Sequence, residues 1–126
     1  MHIRRIEGLD ALVNLEELYL SHNGIEKMEG LEQLAKLNTL DLSANRLAAI
    51  DGVGSLTRLE EFWFNDNQLA NWHDVDKLRV CPSLNCVYFE RNPIAKDSGY
   101  RRKLQLALPS LKQIDATFTR ADVRHA

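Results

Sequence analysis

The side chains in this sequence that could do chemistry are acids and aromatics set two residues apart: Glu17 and Tyr19, Glu61 and Trp63, Tyr88 and Glu90, with Asp41 at an equivalent place. A carboxylate beside a large ring suits adhesion. The ring supplies contact area with only two rotatable bonds, and the acid accepts charge-assisted hydrogen bonds from a partner's arginine or lysine. General acid–base work would need a nucleophile, a histidine partner or a pocket that shifts an acid's pKa. His2, His22, His73 and His125 fall at unrelated places and give Asp41 and Glu61 no such partner. The expectation is a binding protein and not an enzyme, with no catalytic residue, metal or cofactor.

A repeat positions these side chains. The block LEELYLSHN at 15–23 recurs as LNTLDLSAN at 37–45, LEEFWFNDN at 59–67 and LNCVYFERN at 84–92, in steps of 22, 22 and 25 residues. Its frame, L-x-x-L-x-L-x-x-N at that period, is the leucine-rich-repeat signature, which implies one strand and one short convex segment per coil. The predicted fold class is α/β: a right-handed leucine-rich-repeat solenoid. It has a short parallel concave sheet, 3-10 or short helices on the convex side and a C-terminal helical cap. The predicted domains are repeats over 1–92, with a partial first coil and strands near 17–21, 39–43, 61–65 and 86–90; a cap over 93–118; and a tail over 119–126, expected to fray.

Alternation along a strand sends side chains to opposite faces. Leu59, Phe62 and Phe64 should enter the core while Glu61, Trp63 and Asn65 stand outside. Across the four strands the outward residues form three columns: Glu17, Thr39, Glu61 and Cys86; then Tyr19, Asp41, Trp63 and Tyr88; then Ser21, Ser43, Asn65 and Glu90. With strands about 4.8 Å apart, the platform is only roughly 15 Å wide. Three aromatics in one column with acids beside them make a patch, and patches have partners.

Between strands the apolar spacing becomes three, as in Ile25, Met28, Leu31, Leu34 and Leu37, which fits tight turns and 3-10 helix better than α-helix. Gly8, Gly30 and Gly52 mark the turn into that segment, and Asp74 takes the place in the fourth coil. Asn23, Asn45, Asn67 and Asn92 follow the strands, where an amide side chain can satisfy backbone groups of its own and adjacent coils. The longer fourth coil, 72–84, predicts a convex helix burying Val75, Leu78 and Cys81 and ending before Pro82. His73, Asp74 and Asp76 resemble metal ligands less than residues of a helix start, where acids meet capping and dipole preferences.

Beyond Asn92 the pattern turns helical. Asp97 or Ser98 is the expected N-cap, Tyr100, Leu104, Ala107, Leu108 and Leu111 form one stripe, and Pro109 ends the helix. Leu111, Ile114 and Phe118 are expected to complete the seal, and Arg101, Arg102 and Lys103 to form a solvated face. At the other end, Ile3 aligns with Ile25 and Leu47, so Leu18 and Leu20 would sit in an uncovered edge strand. Two alternatives follow: the chain is the C-terminal piece of a longer array, or two copies meet through that end.

The net charge of −2 over 126 residues gives no footprint for nucleic acid or an anionic membrane. No apolar run approaches the roughly 20 residues of a membrane span, and the start MHIRRIE lacks a signal-peptide core. Cys81 and Cys86 suggest two reduced thiols rather than a disulfide framework or a zinc site. The expected location is cytoplasmic, nuclear or both.

The segments EFWFNDN at 61–67, VYFERNP at 87–93 and YRRKLQLALPSLKQIDATF at 100–118 resemble the C-terminal repeats and cap of the leucine-rich-repeat regulatory subunit of protein phosphatase 1, the regulatory subunit 7 family. The family's N-terminal repeats have no counterpart here. The resemblance implies that the phosphatase catalytic subunit binds the concave face. It also implies that Asp41, Glu61, Trp63 and Tyr88 match family contact positions, with Tyr19 and Glu17 extending the patch. The alternative is a general repeat scaffold, similar to axonemal dynein light chains or to a spliceosomal subunit that holds an RNA-binding partner.

Overall fold

The computed structural model describes residues 2–119. The fraying expected of the tail lies, past Thr119, outside the described residues, as do His125 and the side chain of Phe118. Four parallel strands, β1 (Glu17–Tyr19), β2 (Thr39–Asp41), β3 (Glu61–Trp63) and β4 (Cys86–Tyr88), lie side by side in chain order. Their register is that of the repeat: Leu18, Leu40, Phe62 and Val87 stand in line, as do Tyr19, Asp41, Trp63 and Tyr88. Each strand keeps three residues where the frame suggested five. The reason lies three residues past each strand, where His22, Ala44, Asp66 and Arg91 adopt left-handed φ near +54 to +60° and turn the chain inward.

That turn is held by the asparagines. Asn67 Oδ1 accepts from Leu47 N of the preceding coil at 2.9 Å, and its Nδ2 donates to Leu42 O of that coil at 3.0 Å and to Phe64 O of its own at 3.2 Å. Asn45 and Asn92 repeat this pattern one coil earlier and one later. Asn23 Oδ1 accepts from Ile3 N, while its Nδ2 serves carbonyls of its own coil alone. Asn67→Ala leaves buried backbone groups of two coils unpaired. It is expected to cost about 1–3 kcal/mol, read as a lower urea midpoint; an unchanged midpoint would show the ladder to be dispensable.

On the convex side the period of three appears as single turns rather than continuous 3-10 helix: Leu34 N bonds Leu31 O and Leu37 N bonds Leu34 O, each at 3.1 Å. A glycine opens each such segment. At Gly30 φ is +73°, and a Cβ would lie 2.6 Å from Ile6 O, so no side chain fits. The fourth coil has room for α1 (Trp72–Asp76), continued by a 3-10 turn over Lys77–Val80, and it buries Val75, Leu78 and Cys81. The acids do not cap this helix: Asn71 does, its Oδ1 accepting from His73 N at 2.9 Å. Asp74 lies in the first turn, where a negative charge faces the helix dipole, and pairs with Lys77 at 2.7 Å.

After a 3-10 turn over Pro93–Lys96 comes α2 (Tyr100–Ala107), which lays Tyr100 and Leu104, with Leu108 just past its end, onto the last coil. Its N-cap is Gly99 and not Asp97 or Ser98. Asp97 acts one step earlier, accepting from Gly99 N at 2.8 Å. The chain then returns to the sheet, adding β5 (Gln113–Ile114) parallel to β4 and β6 (Thr117–Phe118) antiparallel to β5. These two strands were not foreseen. At two residues each they carry no periodicity, and the left-handed residue of their turn is Asp115 rather than a glycine.

Asp115 gives the cap its lock. Leu20, Leu42 and Phe64 each donate their amide to a carbonyl of the next strand, at 2.8 Å. For Phe89, the equivalent residue in the last coil, Asp115 Oδ1 takes the carbonyl's place at 2.8 Å and also accepts from Glu90 N at 3.0 Å. Tyr100 OH donates to Asp115 Oδ2 at 2.9 Å and ties α2 to the same point. Burial, first, and the carboxylate beside it push the Tyr100 phenol far up, so it remains the donor.

At the opposite end β1 is an edge strand. Leu18 and Leu20 are half-buried, and Ile3, Leu12 and Val13 are exposed.

Candidate partner-binding site

The concave face is built by alternation on the strands and closed by the rows beneath. Leu40, Phe62 and Val87 point into an apolar core, where Phe62, Phe64 and Phe89 pack ring to ring. Their neighbours on each strand must then face out. Tyr19, Trp63 and Tyr88 form one continuous aromatic row, with 6.0 Å between Tyr19 and Trp63 and 6.0 Å between Trp63 and Tyr88. The ring centroids are at edge-to-face or tilted stacking distance, so each ring restrains the next.

Each ring is also tied by its polar tip. Tyr19 OH donates to Glu17 Oε1 at 2.6 Å, Trp63 Nε1 to Glu61 Oε1 at 3.3 Å, and Gln113 Nε2 donates to Tyr88 OH at 3.1 Å. The bond to Glu17 holds the Tyr19 phenol above its usual pKa. Burial raises that of Tyr88, with the neighbouring negative charges adding to it. Both phenols are neutral at physiological pH, Tyr19 donating to Glu17 and Tyr88 accepting from Gln113. Glu17 and Glu61 therefore orient the rings as well as carrying charge.

Asp41 differs from expectation. On sequence it belonged to an open surface beside Glu61, yet only 6% of it is exposed, whereas Tyr19 is 53% exposed. The cause is the row itself: the Tyr19 ring reaches past β2 to meet Trp63 on β3, and Asp41 lies between them in the register. Asp41 Oδ1 accepts from Ser43 N at 2.9 Å and Ser43 Oγ at 2.7 Å.

Thr39 and Cys86, in the first column, are buried. Cys86 and Cys81 are free thiols, and burial pushes them up to about 12 and about 11, so both stay protonated at neutral pH. Gln113 was absent from the sequence-derived site because β5 was; the third column, Ser21, Ser43, Asn65 and Glu90, was named without a role. Among the described residues no group of three or more His, Cys, Asp or Glu is placed to hold a metal ion, and no helix is long and apolar enough to cross a membrane.

Stacked coils with a tied aromatic row on the open sheet face define a repeat solenoid. The chain belongs to the leucine-rich repeat family, whose model matches residues 1–126. It is 60% identical over 52 residues to protein phosphatase 1 regulatory subunit 7 of Homo sapiens, a match covering 41% of this chain and 14% of that protein. It is 38% identical over 116 residues to leucine-rich repeat-containing protein 23 of Xenopus tropicalis, covering 92% of this chain and 27% of that one. Among solved structures, the Drosophila melanogaster SNF/U2A' complex contains a chain that superposes with a TM-score of 0.87 at 26% identity, covering 98% of this chain and 72% of its own. The match thus spans about a seventh of the length of the phosphatase subunits, 14% to 15%.

Proposed function

We propose that this chain is a protein-interaction module, without enzymatic activity of its own, that binds the catalytic subunit of protein phosphatase 1 through its concave face. The observation that carries the reading is the tied row of Tyr19, Trp63 and Tyr88 with Glu17 and Glu61 at its edge. Pre-oriented rings lose little entropy on binding, and the acids offer free oxygens to a partner's basic side chains. Identity of 60% over 52 residues to a phosphatase regulatory subunit supports the choice of partner. The working location is cytoplasm, nucleus or both, where such a partner would be met.

The test is capture of purified phosphatase catalytic subunit by the intact chain and by Trp63→Ala. Truncating the central ring is expected to weaken capture by about 2 kcal/mol or more. Undiminished capture would move the contact off this face.

A second reading has its own support in the superposition, at a TM-score of 0.87, with a chain of the SNF/U2A' complex. In it the same platform is a general scaffold holding a different protein, of the SNF kind. Running both candidate partners over the same immobilised chain separates the two. The apolar end at Ile3, Leu12, Val13, Leu18 and Leu20 is a further candidate surface, for self-association, and sedimentation of the dilute chain as a clean monomer would count against it.

A further inference from the structure

The rungs of the asparagine ladder share a hydrogen-bond pattern but not the residue that follows. Arg46, Gln68 and Pro93 come after Asn45, Asn67 and Asn92, whereas Gly24 comes after Asn23. The fold does not require that glycine. Its φ is not left-handed, and a Cβ there would meet only Arg4 Cγ and Ile3 O at 3.9 Å and His2 Cβ at 4.0 Å, which is ordinary contact. What a glycine does supply is an unshielded backbone amide beside an asparagine side chain, the pairing in which no Cβ hinders ring closure between the two. One residue stands guard over both groups. Ile3 N donates to Asn23 Oδ1 at 2.9 Å and Ile3 O accepts from Gly24 N at 2.9 Å, while Asn23 Nδ2 is turned to Leu20 O and Ser21 O at 3.0 and 3.2 Å. In the next coil Ile25 makes the same two bonds, to Asn45 Oδ1 and Arg46 N, and has no exposure. Ile3 is 46% exposed, and His2, Arg4 and Arg5 are exposed with it. Asn23 is half-buried where the other rungs are buried. An exposed segment held by few bonds opens far more often than one lodged in a core.

We propose that Asn23–Gly24 is a site of spontaneous deamidation, gated by opening of the segment at Ile3. Once Ile3 lets go, the Gly24 amide nitrogen gives its proton to hydroxide and attacks Asn23 Cγ. The N–Cγ bond forms, the Cγ–Nδ2 bond breaks, and Nδ2 takes up a proton from water and leaves as ammonia, regenerating hydroxide. A second water opens the succinimide at either carbonyl, which gives aspartate or isoaspartate at position 23. Either product is an acid whose oxygens cannot donate to Leu20 O and Ser21 O, and isoaspartate also lengthens the main chain by a methylene. The first rung is lost, and with it the hold on the end of β1, which carries Tyr19 of the aromatic row.

The test needs no protein partner. The intact chain is incubated in mildly alkaline buffer, folded and in urea, and the deamidated residue is located by mass spectrometry of its peptides. Expected is conversion at Asn23 in the folded chain, slower than in urea, with Asn45, Asn67 and Asn92 intact. Ile3→Pro removes the N–H that holds Asn23 Oδ1 and is expected to speed the folded reaction roughly threefold to tenfold, the weight of one hydrogen bond. Gly24→Ala, which the backbone accommodates, is expected to suppress the reaction both folded and unfolded. Asn23 staying intact in the folded chain while the unfolded chain converts, equal conversion at Asn45 or Asn67, or Gly24→Ala reacting as fast as the parent would overturn the site. A folded rate unchanged by Ile3→Pro would overturn the gate. Should that variant lower global stability, hydrogen exchange in the unaltered chain decides the gate instead: the Gly24 amide is expected to exchange faster than the equivalent Arg46 amide, and equal protection would sink it.

Discussion

Phe62→Ala is expected to lower the unfolding free energy by about 3–5 kcal/mol, the range for a fully buried phenylalanine replaced by alanine. The ring has no exposure, stacks on Phe64 at 5.3 Å and meets Phe89 edge-on at 6.0 Å, so its removal opens a cavity that two other rings line. The position is central: Phe62 stands between Leu40 and Val87, and in a stacked array stability passes through each interface between neighbours. Trp63 on the same strand and Trp72 on α1 report unfolding by fluorescence. A loss below about 1 kcal/mol would mean that the site collapses and refills. Phe62→Leu, which keeps most of the volume, should cost about 1.5 kcal/mol or less.

Asp115→Ala is the second large effect, expected at about 3–4 kcal/mol from two amides and a phenol left without their charged acceptor. The amides are those of Phe89 and Glu90, and the phenol is that of Tyr100. A hydrophobic account of the cap predicts otherwise, since α2 would still bury Leu104, Leu108 and Leu111. Tyr100→Phe separates the contributions: it breaks only the bond between α2 and Asp115, and should cost about 1–1.5 kcal/mol. Hydrogen exchange gives the sharper readout. The amides of Phe89 and Glu90 should lose protection in Asp115→Ala and keep it in Tyr100→Phe. Protection retained in both would show that the carboxylate is not what closes the sheet.

The burial of Phe62 is plain in the sequence, whereas the role of Asp115 is not. Four copies of one frame at steps of 22, 22 and 25 residues were enough for the strand positions, the inward leucines and phenylalanines, the asparagine ladder and the three outward columns. They are local matters: alternation fixes which side a residue faces, and the period fixes which residues share a column. The same logic makes Glu17, Tyr19, Glu61, Trp63 and Tyr88 candidates from the sequence. Where the repeat ended, legibility ended as well. Nothing in QIDATF at 113–118 marks two strands, since β5 pairs with β4, 27 residues earlier in the register, and β6 pairs with β5.

What the sequence determined by itself is therefore the solenoid and the membership of its concave face, because both follow from periodicity. What only the tertiary structure decided is the state of the side chains on that face. Sequence puts Tyr19, Asp41 and Trp63 in one column as equals; the structure lets the Tyr19 ring reach Trp63 and leaves Asp41 largely buried, its Oδ1 accepting from Ser43. It likewise turns Asp115 from one acid in a loop into the acceptor that ends the sheet. The physical reason is the same in both cases. A period states which residues are neighbours, but which of two neighbouring side chains lies on top, and which backbone group lacks a partner, depends on rotamers and ends that exist only once the coils are stacked.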